Sequence, residues 1–214
     1  MSRMPIIFFL SALVFISAIL HLRAEYMGQR RHVYFFKPLT MFFIILIGWQ
    51  TKNPVSAFYK YAILCGLIFS LAGDIFLMLP SDRFISGLLS FLLAHLFYIA
   101  AFTFEGARSP GVLVAVPLLI YGALMLRILL PHLGSMRVPV VIYMLVILLM
   151  AWQALNRWMM TAEQGSVLTL AGALLFVVSD SLLALNRFKS RFRGAQIYIM
   201  SSYFMAQWLI ALST

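Results

Sequence analysis

The sequence predicts an all-α membrane protein: a polytopic bundle of about eight transmembrane helices in one domain over residues 1–214. Three observations carry that prediction. Hydrophobic residues make up 64% of the chain and charged residues 10%, with a mean hydropathy of +1.00, a balance foreign to soluble domains of this length. The apolar residues fall into runs of about 20, the length that crosses the hydrocarbon of a bilayer as a helix. Between the runs stand short segments with the Pro, Gly and charge expected where a chain re-enters water.

The first run, Met4–Leu22, follows the basic Arg3 and has the outline of a signal peptide, but its length and the spans after it predict a retained helix. The others are Val33–Trp49, Phe58–Leu79, Phe84–Thr103, Gly111–Leu129, Val138–Leu155, Ser166–Leu185 and Ala195–Leu212, the second and sixth spans being short. Breaks are expected at Thr51–Pro54, Pro80–Arg83, Ala107–Pro110, Pro131–Gly134 and Asn186–Gly194. So little chain lies between runs that no separate soluble domain fits.

A net charge of +10 would suggest nucleic acid in a soluble protein. Here Lys and Arg lie mainly between apolar runs, so they are read as orienting residues and contacts to anionic membrane lipids, with no nucleic-acid partner. Alternate loops carry unequal shares. One side has Arg3, Lys52, Lys60, Arg108 and Arg157, and the other has the remaining eleven of the sixteen. The bias places the Arg187–Arg193 cluster on the cytoplasmic face and both termini opposite, in the inner membrane if the cell is bacterial. The single cysteine, Cys65, lies in an apolar run and reads as a small core residue.

The chain also looks internally repeated. Gly66–Leu79 aligns without gaps to Gly172–Leu185, with Gly, Asp and two Leu coinciding. The third and seventh helices, four spans apart, would then run parallel with Asp74 and Asp180 at matching depths, in two parallel four-helix pseudo-repeats.

Of the six acids, Glu25, Asp82, Glu105 and Glu163 fall in expected loops, whereas Asp74 and Asp180 lie within spans. Each intramembrane aspartate costs roughly 2.5–3.5 kcal/mol to insert, so two in one small bundle ask for a reason. One reason is structural, an ion-paired or hydrogen-bonded residue near a helix end. The other is chemical. Burial disfavours the charged form, and two carboxyls sharing a site resist ionising together, which leaves one as acid and one as base.

Further polar residues lie in or beside spans. Lys37 reads as a snorkelling lysine, as a counter-ion for either aspartate, or as a phosphate contact. His95 and Tyr98 are three apart and share a helix face, as do Tyr203 and Gln207, four apart. Tyr143, Ser179 and Asn186 complete the set. No Gly-x-Ser-x-Gly elbow, His-Glu-x-x-His motif, Walker loop or cysteine pair occurs, which removes the common routes to ester hydrolysis, zinc proteolysis and nucleotide use. A two-carboxylate, one-histidine site from Asp74, Asp180 and His95 has no ligand spacing behind it, so neither metal nor cofactor is expected.

The strings Lys37-Pro38-Leu39, Gly73-Asp74-Ile-Phe-Leu-Met78, His95-Leu-Phe-Tyr98, Ser179-Asp180 and Tyr203-Phe-Met-Ala-Gln207, in this order and spacing, resemble the YhhN-like family of membrane proteins, which includes the lysoplasmalogenases. The resemblance implies an eight-span bundle that hydrolyses the vinyl ether bond of 1-alkenyl lysophospholipids, releasing a fatty aldehyde and a glycerophospho-base such as glycerophosphoethanolamine or glycerophosphocholine. It also implies that Asp74 and Asp180 are the catalytic pair, with Lys37, His95, Tyr98, Ser179, Tyr203 and Gln207 inside the motif strings. The chemistry agrees. A vinyl ether offers no carbonyl to a nucleophile; its cleavage starts with protonation of the β-carbon, which suits a carboxylic acid beside a carboxylate. The main competing reading is a proton-coupled small-molecule or lipid transporter, since paired intramembrane acids also relay protons. An assembly protein would leave both acids without a task.

Overall fold

The computed structural model describes residues 4–51, 55–103 and 112–214. Among these it has eight α-helices and no strand: α1 Met4–Tyr26, α2 Arg30–Gln50, α3 Ala57–Met78, α4 Phe84–Thr103, α5 Val116–Leu129, α6 Arg137–Thr161, α7 Gln164–Ala184 and α8 Ala195–Leu212. α1 to α7, some with their flanking turns, are long and apolar enough to cross a membrane. α8 has 18 residues, but two glutamines, two serines and two tyrosines dilute its apolar character. It packs against α7, α2, α1 and α3, and those polar residues include part of the interior described below. The chain is an integral, multi-pass membrane protein.

Local chemistry sets the helix ends. Ser56 caps α3 by accepting a hydrogen bond from the Tyr59 amide at 3.0 Å. α5 begins only at Val116, with Pro117 in its first turn, because proline lacks the amide hydrogen that the first turn leaves unpaired anyway. Ahead of it is a 3-10 turn, Val112–Ala115. α7 runs on into a π turn, Leu185–Lys189, so Asn186 is helical where the sequence suggested a break.

Two other expectations change. α6 continues past Leu155 to Thr161 and carries Arg157 in the helix, 3% exposed, instead of in a loop. The Arg157 guanidinium lies 4.4 Å from the centre of the Tyr59 ring, an attraction that helps a cation stay inside. Glu25 sits in the last turn of α1, half-buried, not in a loop. Arg3, Lys52, Glu105, Arg108, Gly111, the Ala107–Pro110 break and most of the Thr51–Pro54 break lie outside the described residues.

The helices pack in a repeated plan. α3 lies on α4 and α7 on α8, while α2 contacts α3 and α8, and α6 contacts α7 and α4. Each half thus receives the last helix of the other. The aligned glycines permit the tight pairs. A Cβ on Gly66 would fall 2.2 Å from the Tyr98 ring of α4, and one on Gly172 would fall 2.9 Å from the Ala206 carbonyl oxygen of α8. Asp74 and Asp180 each stand four residues before the last residue of their helices, Met78 and Ala184. Both carboxyls therefore arrive at the same end of the bundle.

Candidate active site

A polar cavity of about 710 Å³ opens at the end of the bundle where the α3–α4 and α7–α8 connections lie. Lys37, Asp74, Ser179, Asp180 and Tyr203 line its interior. Its mouth carries Glu25, Asp82, Asn186, Arg187, Arg191 and Gln196, on the end to which the sequence assigned most of the basic residues.

Asp74, at the C-terminal end of α3, is 2% exposed. The Lys37 ammonium, about two turns into α2, lies 3.0 Å from one carboxylate oxygen. The Tyr203 hydroxyl of α8 donates to the other at 2.6 Å. Cation and donor together compensate a charge that burial would otherwise make costly. The Phe91 and Phe176 rings meet the Tyr203 ring nearly perpendicularly, with centroids 5.9 and 5.5 Å away, and fix it. Tyr98 and Gln207 do not line the cavity; they bond to each other at 2.7 Å in the buried interior and tie α4 to α8.

Asp180 has different company. The Tyr143 hydroxyl of α6 donates to an oxygen of its carboxyl group, and His95 Nε2 of α4 lies 2.9 Å from the same hydroxyl and 3.7 Å from that oxygen. With the phenol hydrogen directed at Asp180, the hydrogen between Nε2 and the phenol oxygen comes from the imidazole. His95 is fully buried, and the Phe176 ring stands edge to face with it at 4.7 Å. The Asp180 side chain is 15% exposed.

Asp180 also borders a second space. A narrow apolar cleft of about 70 Å³ lies between α5, α6 and α7, with Tyr121, Met125, Tyr143, Leu148, Val177 and Ala184 among its walls. Leu77, Phe84, Phe91, Asp180, Leu183 and Phe188 line both spaces. The carboxyl of Asp180 thus stands where a polar chamber meets a hydrocarbon-lined one.

The two aspartates are related by the repeat. Asp180 follows Asp74 by 106 residues (180 − 74), and Tyr143 follows Lys37 by the same interval (143 − 37). Each aspartate is met by that residue of the preceding helix and by one from the other half's last helix, Tyr203 or His95. The repeat builds one site twice with different chemistry, an ion pair on one side and a phenol–imidazole relay on the other.

The remaining expected residues hold the frame. The Ser179 hydroxyl donates to the Ile199 carbonyl at 3.0 Å and ties α7 to α8 beside the cavity. The Asn186 carboxamide oxygen accepts from the Phe192 amide at 3.2 Å. Among the described residues no three His, Cys, Asp or Glu side chains converge as a metal site. Sequence reasoning missed Asp82, Arg187 and Glu25 as cavity residues, because each looked like a solvated loop charge. One signal was available: Arg187 follows Asp180 by seven residues, two helical turns, on the same face.

Two carboxyls with unlike partners stand at the floor of one polar cavity in a membrane-spanning bundle. Residues 32–214 match the YhhN family, and the chain belongs to it. It is 30% identical to the membrane protein YhhN of Escherichia coli O6:H1 over 200 residues, 94% of this chain and 95% of that one. It is 36% identical over 172 residues to the lysoplasmalogenase TMEM86A of Bos taurus, covering 78% of this chain and 69% of the relative. With the human lysoplasmalogenase TMEM86B the identity is 35% over 171 residues, covering 79% and 70%. No solved structure matches the chain.

Proposed function

We propose that this protein hydrolyses the vinyl ether bond of 1-alkenyl lysophospholipids, with Asp180 as the acid and Asp74 as the carboxylate. The observation that carries the reading is the placement of both carboxyls in one cavity with unlike partners, a lysine for Asp74 and a phenol for Asp180. The relatives named lysoplasmalogenases supply the reaction class.

The chemistry divides along the same line. Asp180, bordering the apolar cleft, gives its proton to the β-carbon of the vinyl ether, and the electron pair of the double bond forms the new C–H bond. The α-carbon becomes an oxocarbenium ion, which the ionised Asp74 stabilises. Water from the cavity attacks that carbon and loses a proton to Asp74, giving a hemiacetal. Collapse breaks the bond between the former vinyl carbon and the glycerol oxygen; the hemiacetal hydroxyl loses its proton and the glycerol oxygen gains one. Aldehyde and glycerophospho-base leave, and the proton on Asp74 returns to Asp180 through the shared cavity. Lys37 holds Asp74 in the charged form that both of its tasks require. The headgroup lies in the polar cavity at the basic, cytoplasmic end, and the alkenyl chain lies toward the apolar cleft.

The test is aldehyde release from 1-alkenyl-lysophosphoethanolamine by the purified protein, beside Asp74→Asn, Asp180→Asn and a 1-acyl control. Aldehyde from the unaltered protein alone, with the acyl lipid intact, is the expected result. No aldehyde from folded protein across pH and headgroups would overturn the reaction and favour a proton-coupled transporter using the same aspartates.

A further inference from the structure

The cavity mouth holds a cation that the chemistry above does not use. Arg187, in the π turn that extends α7, directs one terminal guanidinium nitrogen at both carboxylate oxygens of Asp82, 3.0 and 3.1 Å away. The guanidinium carbon stands 4.0 Å from the centre of the Phe84 ring. The Phe84 and Phe188 rings meet edge to face, centroids 5.6 Å apart. An arginine so stacked is held in place while its donors stay available. Asp82 sits in the α3–α4 connection with left-handed backbone, φ 42°, a conformation that aspartate tolerates better than most residues. Its side chain is 72% exposed and that of Arg187 36% exposed. An ion pair this open is weak and easily exchanged.

Lys37, the cation deeper in the cavity, is committed to Asp74 at 3.0 Å. The cations left at the mouth are Arg187 and Arg191. Two turns of helix separate Arg187 from Asp180, a rise of about 10 Å, and both residues line the same cavity. The π turn, a form that recurs at functional sites, brings the guanidinium to the mouth.

We propose that Arg187 binds the phosphate of the lipid headgroup, and that Asp82 occupies the guanidinium until the phosphate displaces it. A phosphate oxygen pair presents to the fork what the Asp82 carboxylate presents, with more charge to share between Arg187 and Arg191. The proposal rests on the lysophospholipid reading above, but binding tests it without turnover.

The probes are 1-O-alkyl-lysophosphoethanolamine, which has no vinyl ether to cleave, and 1-O-alkylglycerol, which has no phosphate. Binding is measured to the detergent-solubilised protein and to Arg187→Gln, Arg187→Lys and Asp82→Asn. Arg187→Gln is expected to weaken the phospholipid about tenfold and leave the alkylglycerol unchanged, with Arg187→Lys between. Asp82→Asn is expected to tighten the phospholipid about threefold and leave the alkylglycerol unchanged. Equal effects on both lipids, or none on the phospholipid, overturn the assignment. Inorganic phosphate separates the sources: competition with the phospholipid through Arg187 supports a headgroup site. Phosphate binding that needs Arg187 while lipid affinity ignores it means a free-anion site and overturns the proposal. Aldehyde release from the cleavable lipid is run in parallel. Its absence beside an Arg187-dependent phospholipid affinity would sink the hydrolase reading and leave the phosphate site standing.

Discussion

α1 and α5 hold equivalent positions in the two halves of the bundle and are packed differently. α1 buries Leu10, Ser11, Val14, Ser17, His21 and Ala24. Hydrogen bonds pin it to α2 through Ser17 and Thr40 at 2.8 Å and to α8 through Ser11 and Trp208 at 3.0 Å. α5 buries Gly122 and Leu129 and reaches α7 through Tyr121 and Ser181 at 2.6 Å. The tight half surrounds an aspartate with an ion pair, and the loose half leaves a hydrocarbon-lined cleft beside the other aspartate. The repeat places two carboxyls at one end of the bundle, one with a charge partner and the other at the border of an apolar cleft.

The comparison is tested most strongly at the carboxyls. Asp74→Asn and Asp180→Asn are each expected to lower kcat/KM for the alkenyl lipid by about 1,000-fold, since the acid and the carboxylate are both needed in one transition state. Both variants should keep helix content and elution volume in detergent. If either retains turnover within tenfold of the original, two-carboxylate catalysis is wrong and the halves are not partners.

Next come the unlike partners of the two aspartates. Lys37→Met leaves Asp74 buried beside no cation and is expected to cost about 3 kcal/mol of stability, read as a lower unfolding midpoint. Adding Asp74→Asn should restore most of that loss without restoring turnover. Tyr143→Phe, the matching change in the other half, removes a neutral donor and is expected to cost about 1 kcal/mol and roughly tenfold in turnover. Equal costs for the two would mean that the halves do not differ in charge.

The glycines come third. Gly66→Ala and Gly172→Ala are each expected to cost about 1–3 kcal/mol, by overpacking a close helix pair. Gly172 should be the more sensitive, because its neighbour at 2.9 Å is backbone and cannot turn aside. Thermal unfolding of both variants in one detergent orders them. A larger loss at Gly66 would show the Tyr98 ring to be the more rigid wall.

The spans were legible because twenty-residue apolar runs have one outcome in a bilayer, and the aspartates because their insertion is expensive. The equivalence of Lys37 and Tyr143 was not, since a lysine and a tyrosine share no pattern and only their common interval from the aspartates relates them. Nor was the exchange of α4 and α8 between halves, which depends on contacts that no local periodicity records. The end of α6 was misplaced because Arg157 reads as a loop charge until the Tyr59 ring beneath it is seen. Arg187 was hidden the same way among its basic neighbours.

The smallest expected effect is the one specific to the loose half. Met125 lines the apolar cleft from α5, and Ile19 of α1 precedes it by the same 106 residues (125 − 19) but is 63% exposed on the outside of the bundle. Met125→Trp fills part of the cleft from a helix with room to shift, so it should weaken long alkenyl chains relative to short ones by about threefold, the scale of a methylene or two in an apolar pocket. Ile19→Trp adds the same ring on the lipid side of the tight half and should change neither chain preference nor stability. Competition between two chain lengths in one vesicle preparation reads the ratio directly, free of protein concentration. If both variants shift it alike, the chain does not enter beside Asp180, and the looseness of α5 has no part in choosing the substrate.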